Sequence, residues 1–160
     1  MNKHRIPSKD EIEDALRAAI KAVRDEFSED LNVSERALTH RLAVHLEFSS
    51  KGLFAGWHID CEYNRDGHDP KRLGLGEPKT TDDGRGSLVL PDVIVHRRRE
   101  SRADANLLVI EVKRAREGTS EQDLEYDLNK LRAYHQQLRY RYACFVTFEP
   151  DHNIEWICPV

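Results

Sequence analysis

Residues Leu90 to His96 read L-P-D-V-I-V-H, and residues Asn106 to Lys113 read N-L-L-V-I-E-V-K, with a basic interruption between them. Each is a short apolar run bounded by turn-forming or charged residues, the appearance of a buried strand. Three ionisable groups interrupt these runs. Asp92 follows Pro91 directly, and Glu111 and Lys113 close the second run. Strand alternation puts Leu107, Val109, Glu111 and Lys113 on one face and Leu108, Ile110 and Val112 on the other. A buried carboxylate is costly unless it is paired, hydrogen-bonded or bound to a metal, so Glu111 needs a partner. Two partners are open at this point. Lys113 would make a strand-end ion pair, whereas Asp92 on an adjacent strand would complete a seat for a hard divalent cation and a water.

Pro91-Asp92, eighteen intervening residues and then Glu111-Val112-Lys113 resembles the P-D…(D/E)-x-K signature of the restriction-endonuclease-like nuclease superfamily. The motif is short; its context adds weight, because both halves fall on expected strands with a helix before and a helix after. The resemblance spans roughly Ser34 to Trp156. It implies an α/β fold whose core runs α-β-β-β-α-β, a mixed sheet flanked by helices, here with an extra N-terminal helix and a short C-terminal strand.

The resemblance also implies an activity: metal-dependent hydrolysis of phosphodiester bonds in DNA, with endonuclease action favoured and defence against foreign DNA as one role. Asp92, Glu111 and the backbone carbonyl of Val112 would hold Mg²⁺ or Mn²⁺, and Lys113 would orient the attacking water. Superfamily members often carry an acidic residue on the helix before the sheet, and Glu35 matches that position. A capping box from Asn32 to Glu35 is the competing account of this glutamate.

The bulk properties fit one soluble domain over residues 1–160: 39 % of residues are hydrophobic and 34 % charged. No apolar run approaches the ~18 residues of a membrane span, and the N-terminus lacks a secretory segment, so a cytoplasmic protein is expected. Cys61, Cys144 and Cys158 form no C-x-x-C pair and read as reduced, mostly buried thiols. His40 and His45 read as ordinary helix histidines.

A net charge of −4 runs against the basic excess usual in a DNA-binding domain, so the distribution of charge matters. Positive residues cluster at His96 to Arg99 with Arg102, at Lys113-Arg114 with Arg116, and at Arg132, Arg139 and Arg141. Arg97, Arg98, Arg99, Arg114, Arg116 and Lys130 are accordingly candidates for contact with nucleic acid, DNA first and RNA second. A solvated hairpin loop over Arg97 to Arg102 is the alternative.

Helices are expected at Ser8 to Phe27, with a capping box and an Ile12-Leu16-Ala19-Ile20-Val23-Phe27 stripe, at Val33 to Phe48, and at Ser120 to Leu138. The last would bury Leu124, Leu128, Leu131, His135 and Leu138. Asp127, Lys130 and Tyr134 would form a flanking face, an intrahelical ion-pair surface or, through Lys130 or Gln137, a DNA contact. Strands are expected at Trp57 to Tyr63, Ser87 to His96 with a bulge at Pro91, Asn106 to Lys113, Tyr142 to Phe148 and Ile154 to Cys158. Residues 64–86 read as a long loop, a surface excursion or an arm whose Lys71, Arg72, Lys79 and Arg85 would meet phosphates. With no appended DNA-reading domain in the sequence, specificity would come from loops, a homodimer or a larger complex. The alternatives to a nuclease are a nucleic-acid-binding subunit of such a complex and a structural domain with a self-neutralised Asp/Glu/Lys cluster.

Overall fold

Ser8 starts the first helix as the sequence predicts. Its hydroxyl accepts from the Glu11 N–H while the Glu11 side chain accepts from the Ser8 N–H, so two of the orphan donors of the helix start are satisfied. The structure is a computed structural model that describes residues 5–28, 32–50, 52–63, 65–66, 69–74, 87–100, 102–115 and 118–157. Its elements in chain order are α1 (Lys9–Glu26), α2 (Glu35–Ser49), β1 (His58–Cys61), β2 (Arg65–Asp66), β3 (Asp69–Pro70), β4 (Arg72–Leu73), β5 (Ser87–Leu88), β6 (Val93–His96), β7 (Asn106–Ala115), α3 (Glu121–Gln137), β8 (Tyr142–Glu149) and β9 (Asn153–Trp156).

The protein is α/β, built on a five-stranded mixed sheet in the order β1-β6-β7-β8-β9. Only the β7–β8 pair is parallel; β1–β6, β6–β7 and β8–β9 are antiparallel. A parallel neighbour requires a crossover, and α3 is that crossover. Helices cover both faces, which explains why β7 is apolar on both sides. One core joins α1 and α2 to Val93, Val95, Leu108, Ile110, Val112, Val146 and Phe148. The other joins Leu131, Tyr134 and Leu138 of α3 to Ile94, Val109, Ala143 and Phe145. The expected α1 stripe from Ile12 to Val23 is buried. The same helix is fastened to the far end of the chain, because Arg24 donates to the Phe148 carbonyl at 2.8 Å and the Trp156 indole N–H to Glu13 at 2.7 Å.

Four details depart from expectation. The pairing of β6 with β7 shifts between Val95 and His96, so one β7 residue is extra there. This bulge turns Leu107 into the α1–α2 core, away from the face it would share with Val109 under strict alternation. The expected Ser87–His96 strand is two strands, because the backbone leaves the sheet around Pro91; β5 pairs with β4 in a separate ribbon. Lys71 is a buried structural lysine. Its ammonium sits 4.9 Å from the Tyr63 ring centroid and donates to the Tyr63 carbonyl at 3.3 Å and to that of Arg65, which removes it from any phosphate-gripping arm. Lys79 and Arg85 lie outside the described residues. Finally, the buried face of α3 is Asp127, Leu131, Ala133 and Tyr134, rotated from the leucine stripe; Leu124, Leu128 and His135 are only half-buried. Among the described residues, no helix is long and apolar enough to cross a membrane.

Candidate active site

Proline has no amide hydrogen to give a ladder, and at Pro91 the chain is held instead through its carbonyls. Those of Pro91 and Asp92 accept from the Glu62 N–H at 3.0 and 3.2 Å, which fixes Asp92 at the mouth of β6. The register Val93↔Ile110, continued one step, sets Asp92 opposite Glu111. The two predicted carboxylates therefore do meet, on the face covered by α3. Asp92 Oδ2 accepts from the Val112 N–H at 2.7 Å. Glu111 is only 3 % exposed; its Oε2 lies 2.8 Å from Lys130 Nζ, and its Oε1 is buried with no hydrogen-bond partner among the described residues.

Lys113 is not the partner of Glu111. Its ammonium turns to Asp127 Oδ2 at 3.2 Å and to Glu35 Oε1 at 3.6 Å. Asp127 also lies 3.7 Å from Lys130 Nζ, so one buried carboxylate stands between two lysines. Glu35 reaches the cluster from α2, where its Oε2 accepts from the Arg114 N–H at 3.1 Å. The capping-box account of Glu35 falls, because the cap of α2 is Ser34, whose hydroxyl accepts from the Ala37 N–H.

These contacts set the ionisation of the group. Burial, then the neighbouring Asp92, pushes the Glu111 carboxyl well above its ordinary range, against the pull of Lys130. Burial likewise raises Asp92, although the Val112 N–H opposes it. Burial disfavours charge on both lysines, but the carboxylates outweigh it: Asp127 and Glu35 hold Lys113 above its usual value, and Glu111 and Asp127 do so for Lys130. Glu35, Asp92, Glu111 and Asp127 contribute four negative charges against two from Lys113 and Lys130, leaving a formal −2 within the cluster. Raised carboxyl pKa values and a surplus of two negative charges are what a site looks like before it takes up protons or one dication.

Among the described residues, no three His, Cys, Asp or Glu side chains surround one position that would hold a metal. The donors that do converge are two carboxylates, Asp92 and Glu111, with backbone groups of β7 beside them. Hard oxygens of this kind suit Mg²⁺ or Mn²⁺, which keep several waters and need few protein ligands. The unpartnered Glu111 Oε1 is the atom such an ion would satisfy. On the open side, a cavity of about 650 Å³ adjoins the cluster, lined by Ser34 to Ala37, Thr39, His40, Cys61, Glu62 and Asp92.

The basic residues divide. Lys130 is in the cluster, and Arg114 is beside it, with its guanidinium 3.8 Å from Glu149 and 3.4 Å from Asn32. Arg97, Arg98 and Arg99 are at the other end of β6, about 16 Å from Asp92 at ~3.3 Å per residue. There Arg97 stacks over Trp57 at 4.2 Å, Arg98 chelates Asp60, and Arg102 pairs with Glu100 and Asp104. This loop is cross-linked to its own acids. Arg116 lies outside the described residues. Gln137 is also structural, exchanging two hydrogen bonds with the Gly74 backbone at 2.9 and 3.0 Å.

Asp127 is the residue that sequence reasoning left on a flanking surface. The spacing Asp127, Lys130, Tyr134 was the available signal, since positions three and four apart share a helical face. Tyr134 is fully buried, and its hydroxyl has no hydrogen-bond partner among the described residues. Tyr134→Phe is therefore expected to raise stability by about 1 kcal/mol in urea unfolding, by removing a buried polar atom that makes no bond. A loss of similar size would show that the hydroxyl is satisfied in solution. No protein-family model matches this chain, and no curated protein or solved structure is significantly similar to it.

Proposed function

We propose that the protein is a metal-dependent nuclease of the restriction-endonuclease-like superfamily that hydrolyses phosphodiester bonds, with DNA as substrate. One observation carries the reading. Asp92, Glu111, Lys113 and Glu35, from three separate elements, converge at one end of the central strands, with a surplus of negative charge and an unpartnered buried oxygen on Glu111. The element order also supports it. A helix, three sheet strands, a helix and a strand follow in the α-β-β-β-α-β sequence, with α1 before and β9 after.

Asp92 and Glu111, with the Val112 carbonyl, would hold Mg²⁺ or Mn²⁺. When bound, such an ion supplies positive charge beside the phosphate and lowers the pKa of a neighbouring water. The remaining work belongs to the chain. Lys113, kept charged by Asp127 and Glu35, orients the attacking water and balances charge that develops on the phosphate oxygens. Glu35, on the cavity wall beside Asp92, accepts a hydrogen bond from that water. Water oxygen bonds to phosphorus, the bridging P–O bond breaks, and the products are a phosphomonoester and an alcohol.

Plasmid DNA incubated with Mg²⁺ and then Mn²⁺ is expected to be cut by the wild-type chain and left intact by a Glu111→Ala, Lys113→Ala double variant purified in parallel. Equal cutting by both would reject the assignment. A second reading, a structural cluster that neutralises itself, is favoured by the Lys130–Glu111 pair and opposed by the charge count. Calorimetric titration with Mn²⁺ separates the two, because a purely structural cluster takes up no dication.

A further inference from the structure

Glu111 is half satisfied. One of its oxygens faces the Lys130 ammonium at 2.8 Å, and the other is buried without a partner. The Lys130 ammonium lies between Glu111 and Asp127, while Asp92 Oδ2 accepts from the Val112 N–H. Lys130 also has a second carboxylate within easy reach. Asp127 Oδ1 is already 3.7 Å from its nitrogen, less than an ångström beyond the Glu111 contact, while the other oxygen of Asp127 serves Lys113. A turn of the last torsions of a four-carbon stem carries the ammonium from one acid to the other.

We propose that Lys130 is a tethered counter-cation that occupies Glu111 until a divalent ion binds, with Asp127 as the seat that receives its ammonium. The proposal rests on the nuclease reading only for the identity of the ion seat. It gives Lys130 work that the hydrolytic mechanism leaves unassigned, and Asp127 a second role beside holding Lys113. Without the ion, Lys130 keeps a buried carboxylate from standing uncompensated, a condition that destabilises folded proteins. With the ion, Asp127 clasps both ammonium groups and keeps them beside the site. An internal competitor lowers the apparent affinity for the ion by the fraction of molecules in which Glu111 is free. A single positive charge tethered in this way yields to a dication more readily than to a monovalent ion, so the same lysine sets selectivity.

The test is calorimetric titration of the full chain with Mn²⁺ alone, comparing wild type with Lys130→Gln and Lys113→Gln. Lys113→Gln removes the same charge from the same cluster, but the Lys113 ammonium contacts Asp127 and Glu35 and not Glu111. Lys130→Gln is expected to bind Mn²⁺ about five- to 150-fold more tightly than wild type, and more tightly than Lys113→Gln. Unchanged affinity, or equal gains in the two variants, overturns the role of Lys130 while leaving the ion seat intact. No Mn²⁺ binding by wild type or either variant overturns the seat itself, and the proposal with it. Should Lys130→Gln fail to fold, the wild-type chain answers directly. The side-chain NMR signals of Lys130 are expected to shift on addition of Mg²⁺, and invariant signals would reject the exchange.

Discussion

Lys113→Ala is expected to lose cleavage by about 10²- to 10³-fold or more, the usual cost of removing a preorganised charge at a reacting centre, while its unfolding curve stays close to wild type. The side chain is a quarter exposed, and its removal leaves Asp127 still beside Lys130, so no buried charge is stranded. Its affinity for Mn²⁺ should not fall, because a positive charge has been taken away. Asp92→Ala should behave differently. It removes one of the two converging carboxylates and frees the Val112 N–H, so cleavage and ion binding are lost together. The pair of variants thus separates the residue proposed to act on water and phosphate from the residue proposed to hold the ion. Full activity in Lys113→Ala would sink the assignment, and so would undiminished Mn²⁺ binding in Asp92→Ala.

Phe148→Ala is expected to destabilise the fold by about 3–5 kcal/mol, measured as a lower urea midpoint at constant slope. Phe148 is fully buried in the α1–α2 core, and its carbonyl holds Arg24 of α1, so the cavity opens where a helix is fastened to the sheet. Phe48 is the internal control. It is 80 % exposed at the end of α2, and Phe48→Ala should change stability by no more than about 0.5 kcal/mol. If the two substitutions cost the same, α1 is not packed on β8 as described.

Patterns that follow from local physics were legible in the sequence. The capping box at Ser8, the α1 stripe and the two-sided apolarity of β7 led directly to a helix and a central strand, because each is a rule about neighbours in the chain. Asp92 and Glu111 were legible as a pair for the same reason, since adjacent apolar runs make adjacent strands. What was not legible depended on the third dimension. Lys113 could be assigned to Glu111 only while α3 was a leucine stripe at unknown rotation. Once α3 is docked, Asp127 claims Lys113, and Glu111 takes Lys130. The bulge that turns Leu107 inward leaves no mark in composition. The ion pair of Arg98 was not legible for the same reason, because its partner Asp60 comes from a strand some forty residues earlier.

The groups of the site differ in how far the chain must travel to bring them together. The Asp92–Val112 bond closes a span of 20 residues, whereas the Glu35–Arg114 bond closes one of 79. Loop closure costs more entropy as the span grows, and contacts distant in sequence form late. In kinetic terms, a refolding molecule is expected to gather the β6–β7 carboxylates before α2 delivers Glu35. Under the proposed function, an interval would follow in which the chain could bind an ion before Glu35 is in position, and the docking of α2 would be the event that separates binding from chemistry.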